Sequence, residues 1–87
     1  MTPLHTAAMN KSMEPLSFLV ESGLDVDALN KKGETALHVA CLNNWKEGVE
    51  FLLTNGADKS IRTNNGLIAE ELTKDIEILG LLKKHNT

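Results

Sequence analysis

The chain has 87 residues, 41% hydrophobic and 24% charged, which suits one small globular domain with limited capacity to bury apolar surface. Aromatic residues make up only 3%, so the core has to be aliphatic. A net charge of −3 argues against a nucleic-acid binder, which needs clustered basic residues, and no apolar run approaches the ~18–20 residues of a membrane span.

Thr2 is a good N-cap residue, with a hydroxyl for a free backbone N–H, and Pro3 suits the first helical position. A helix is predicted from there to about Met9. A short turn at Lys11 leads to a second helix over Met13–Glu21, in which Pro15 lies early enough to be tolerated. Gly23 closes that helix with positive φ, and the turn formers around Gly33 make Asp25–Glu34 a hairpin-like finger. The pattern then begins again. A shift of 33 residues sets Thr2 on Thr35, His5 on His38, Phe18 on Phe51, Gly23 on Gly56 and Gly33 on Gly66, without a gap. The second copy therefore predicts a helix to about Leu42, a turn at Asn44, a helix over Lys46–Thr54, a cap at Gly56 and a finger over Asp58–Leu67. After Gly66 the pattern loosens. Ile68 stands where Thr is expected and Glu71 where His is expected, and a helix over about Asp75–Lys84 aligns only after a short deletion. The polar positions there, from Glu70 to Lys84, suit a helix pair with one face in solvent.

TPLHTA at Thr2–Ala7, TALHVA at Thr35–Ala40, the fixed period, and SGLD and NGAD at Ser22–Asp25 and Asn55–Asp58 resemble the ankyrin repeat along essentially the whole chain. The resemblance implies an all-α solenoid of helix-turn-helix units joined by hairpin-like loops. Residues 1–32 form a repeat shortened at its N-terminus, 33–65 a second repeat, and 66–87 a C-terminal capping repeat with a polar outer face. A start inside a repeat suggests a fragment of a longer array or a start placed there, and an apolar face around Met1, Leu4 and Leu16 is expected to be open to self-association.

His38 and Cys41 fall on one helix face, and a thiol beside an imidazole is a common way to activate a nucleophile. The first copy argues against that role, because Ala8 occupies the position of Cys41; the slot reads as small and buried, where free Cys behaves as a compact hydrophobe. A metal shared by His5 and His38 is disfavoured, since neighbouring helices pack ~8–10 Å apart and Zn–N bonds are ~2 Å. In the ankyrin family this His bonds the motif threonine and the neighbouring turn, which implies that role for His5 and His38; His85 reads as a solvated tail residue. No phosphate loop is present, and Asp25 and Asp27 lack the ligand series of a Ca²⁺ loop. No catalysis, metal or cofactor is expected. Cys41 has no disulfide partner in the chain and MTPLHTAAMN is unlike a secretory leader, so the expected location is intracellular, in cytoplasm or nucleus.

What the framework does not use varies between the copies. The finger positions are Leu29, Lys31, Lys32 and Glu34 in one, and Arg62, Asn64, Asn65 and Leu67 in the other. The ends of the first helices carry Met9 and Asn10 in one copy, and Leu42 and Asn43 in the other, followed by Trp45 where the first copy has Ser12. Proteins resembling this one usually bind partner proteins on the concave surface built by those elements, so these positions are the candidate partner contacts. Trp45 has two readings: an exposed binding anchor, or a ring that covers the junction of the two helices. The second functional reading is a regulatory or terminal segment of a larger enzyme, channel or signalling protein that packs against its own chain. The framework positions are Thr2, His5, Gly23, Gly33, Thr35, His38, Gly56 and Gly66.

Overall fold

The computed structural model describes residues 2–84; the expectations for Met1 and His85 lie outside them. Among the described residues there are five α-helices: α1 Pro3–Met9, α2 Met13–Glu21, α3 Ala36–Leu42, α4 Lys46–Thr54 and α5 Ile76–Lys84. Among the described residues there is no β-strand. The predicted hairpin-like fingers are tight turns, each closed by a backbone bond, from Asn30 N–H to Glu34 O (3.0 Å) and from Thr63 N–H to Leu67 O (2.9 Å).

Local chemistry sets these boundaries. Thr2 caps α1 by accepting the His5 N–H at 3.2 Å, and Thr35 caps α3 by accepting that of His38 at 3.3 Å. Each of α1 to α4 ends in a turn in which an N–H bonds back five residues: Ser12 to Ala7, Leu24 to Leu19, Trp45 to Ala40 and Ala57 to Leu52. That closure needs a positive φ one residue earlier. Gly23 and Gly56 supply it at 93° and 91°, while Lys11 and Asn44 adopt it at 53° despite their Cβ atoms.

The helices form two layers. One contains α1, α3 and a 3₁₀ turn at Ala69–Leu72, with α3 between the other two; the second contains α2, α4 and α5, with α4 between its neighbours. Between the layers lies the aliphatic core expected from composition: Leu4, Leu16, Leu37, Leu52, Ile78 and Leu82 are all at most 2% exposed. The predicted apolar face around Leu4 and Leu16 is therefore not exposed, because α3 and α4 cover it. The N-terminal end instead presents a shallow groove lined by Pro3, Thr6, Asn10, Pro15 and Leu19.

The first helix expected in the third unit is replaced by the 3₁₀ turn. Ile68 has no hydroxyl to cap it, so only half of the usual reciprocal pair forms, with Glu71 Oε1 accepting the Ile68 N–H at 3.0 Å. Thr73 then turns extended, and its hydroxyl donates to Asn44 Oδ1 at 2.8 Å, tying this unit to the second copy. Asp75 restarts the chain as the cap of α5, accepting N–H groups from Glu77 and Ile78.

Candidate functional site

The two buried histidines set the fingers relative to the helices. His38 Nδ1 accepts the Thr35 N–H at 2.9 Å, so the ring proton is on Nε2, which donates to the carbonyls of Ile61 (2.9 Å) and Leu67 (3.2 Å). Burial lowers the His38 pKa below its ordinary 6.5, against the opposing pull of those two carbonyls. A second proton would set an N–H against the Thr35 N–H. His5 repeats the arrangement one unit earlier, with Nε2 2.6 Å from the Glu34 carbonyl and Nδ1 against the Thr2 hydroxyl. Each histidine thus fixes the far end of the finger that follows its own repeat.

Each finger is also braced by a side chain at its first turn position. Asn30 Oδ1 accepts from the N–H groups of Lys32 (2.9 Å) and Glu34 (3.0 Å), and Thr63 Oγ1 accepts from those of Asn65 and Leu67. Finger two then locks finger one. The Asn64 N–H donates to Lys32 O and its Nδ2 to Lys31 O, both at 3.0 Å. Gly33 makes this approach possible, since a Cβ there would lie 2.5 Å from Asn64 Oδ1 and the backbone is already at φ 74°.

A groove of about 320 Å³ opens between finger one and the ends of α1 and α3. It brings together six of the candidate contacts, Met9, Lys31, Lys32, Glu34, Leu42 and Asn43, and adds Asn30 and Val39. Met9 and Leu42 are 47% and 48% exposed, and Val39 lies almost wholly buried between them and the core. The Glu34 carboxylate accepts from Asn30 Nδ2 at 2.9 Å, so part of its charge is answered within the finger.

The other candidates lie elsewhere. Trp45 is 7% exposed, which removes the exposed-anchor reading. Its ring lies over α4, where a Cβ on Gly48 would be 2.1 Å from Trp45 Cε3; glycine inside the helix is what admits the ring. Asn64 spends its amide on finger one, and Arg62 donates to Gly66 O at 2.7 Å. Asn10 lines the groove at the N-terminal end, Leu29 and Asn65 are exposed outside the main groove, and Leu67 is half-buried. Gly48, Asn30 and Thr63 carry structural roles that went unnoticed in the sequence. The copies hold the signal: Trp45 and Gly48 change together where the first copy has Ser12 and Pro15, and Asn30 aligns with Thr63, both side-chain acceptors.

Cys41 is fully buried and burial pushes its thiol up to about 12, the opposite of an activated nucleophile. Among the described residues no group of three His, Cys, Asp or Glu side chains is placed to hold a metal, and no helix is long and apolar enough to cross a membrane.

A family model described as ankyrin repeats (three copies) matches residues 1–63, most of the chain. No curated protein matches.

Proposed function

Because the chain belongs to the ankyrin-repeat family, whose repeats generally serve protein–protein interaction, we propose that it recognises a protein partner in the groove between finger one and the ends of α1 and α3. The observation that carries this reading is the joining of two half-exposed apolar side chains, Met9 and Leu42, to a finger that is fixed from both sides. A surface ordered before binding gives up little conformational entropy when the partner arrives. The lysines, the apolar floor and the carboxylate provide contacts without any group suited to bond making or breaking.

Co-precipitation of partners by the wild-type chain and by Leu42→Asp tests the groove. Leu42 is half-exposed, so the substitution leaves the core intact. Loss of the partner with Leu42→Asp, and retention with Glu14→Lys on α2, supports the reading. Retention with both sinks it.

A second reading has its own observation. Pro3, Thr6 and Leu19 at the N-terminal groove align with Ala36, Val39 and Leu52, which are 0%, 4% and 0% exposed because the first copy packs over them. The N-terminal face is thus built like a stacking face, suited to another helix pair from the same or a second chain.

A further inference from the structure

We propose that the groove selects a partner segment that sets an apolar side chain close to acidic ones; this rests on the recognition reading above. Lys31 and Lys32 are exposed at the rim, and neither ammonium has an ion-pair or hydrogen-bond partner among the described residues. The one carboxylate in the groove, Glu34, already accepts from Asn30. The rim is therefore locally positive on a chain of net charge −3, and an anionic segment is drawn to this face while the remaining surface repels it.

The backbone that carries these cations is also held in place. Asn64 binds the carbonyls of both lysines, and Lys32 N–H is bound by Asn30, so the finger tip projects both side chains from a fixed backbone beside the floor. The floor offers Met9 and Leu42, and the flexible thioether of Met9 adapts to apolar side chains of different shape. Apolar contact holds the segment in the groove. The lysines, being solvated, set its charge and speed its arrival more than they tighten the complex.

Selection of a random displayed-peptide library on the immobilised chain, followed by fluorescence anisotropy of labelled winners, tests both layers. Circular dichroism first establishes that Leu42→Asp and the Lys31→Glu, Lys32→Glu double variant fold as wild type. The expected winners carry Asp or Glu near a Leu, Ile or Met, lose binding to Leu42→Asp, and bind the double lysine variant about tenfold more weakly. Added salt also weakens them. Winners that need Leu42 but are neutral or basic, or that bind the double lysine variant as well as wild type, overturn the acidic-segment proposal alone. Winners that bind Leu42→Asp unchanged, or a library that yields none, overturn the recognition reading beneath it.

Discussion

Replacing Gly48 by alanine should change sign with the residue at 45. In an ordinary helix interior Gly→Ala stabilises by about 1 kcal/mol through propensity. In α4 the new Cβ would sit 2.1, 2.5 and 2.6 Å from Trp45 Cε3, Cδ2 and Cζ3, well inside the ~3.5–4.0 Å of carbon–carbon contact. The six-membered part of the ring must move, and overpacking of this kind costs about 1–3 kcal/mol. Gly48→Ala is therefore expected to leave the wild-type chain unchanged to about 2 kcal/mol less stable. In a Trp45→Ala background, which itself costs about 3–5 kcal/mol, nothing opposes the propensity gain and the same change should stabilise by about 1 kcal/mol. The cycle then closes with a coupling of about 1–3 kcal/mol. Urea unfolding of all four variants, followed by far-UV circular dichroism in one fixed concentration of a protecting osmolyte, keeps the weakest variant folded enough to measure. Equal effects of Gly48→Ala in the two backgrounds, or a clear stabilisation of the chain that retains Trp45, would refute the packing account of Trp45.

Three further expectations concern Gly33, His38 and Cys41. Gly33→Ala should destabilise more than Gly56→Ala, since both lose a positive φ at about 1–2 kcal/mol but only the first meets Asn64; equal urea midpoints would contradict the finger lock. Stability should fall as pH drops below the ordinary His38 value of 6.5, because the unfolded chain takes a proton there that the buried ring resists. The fall should continue until the lowered folded-state pKa is reached, and stability that rises instead on acidification from neutrality would contradict the neutral Nε2–H ring. Cys41 should react with a thiol reagent only as fast as the chain opens, with urea accelerating it; fast reaction in the native protein would contradict a buried, protonated thiol.

The four helices of the two copies were legible in the sequence because capping chemistry is local. Thr2, Pro3, Thr35, Gly23 and Gly56 each carry their conformational demand in their own side chain, or in its absence. The period placed Leu4, Leu16, Leu37 and Leu52 on faces, but their burial depended on what stacks against them. Hence Leu4 and Leu16, expected at an exposed end, lie in the core. Trp45 was ambiguous for a related reason. A tryptophan in a turn is exposed or buried according to whether a hole exists, and the hole is made by Gly48, three residues away. Asn64 resembled a variable surface contact, yet its partners are backbone carbonyls in another finger, which no side-chain pattern announces. The loss of the first helix in the third unit was half visible, in Ile68 at a capping position, although Glu71 still supplies the other half of the cap. Met9, Lys31, Lys32, Glu34, Leu42 and Asn43, which line the proposed groove, stand out in the sequence because the framework leaves them unexplained; Val39 lines it too but does not stand out, because it also serves the core.

Site-specific photo-crosslinking tests most directly whether the groove is where this protein meets another. A photoreactive side chain in place of Leu42 reports on the groove, and one in place of Phe18, 68% exposed on α2, reports on a face outside it. Irradiation in cells should join the first to another polypeptide and leave the second without that product. The same adduct from both positions, or from Phe18 alone, would contradict recognition through the groove.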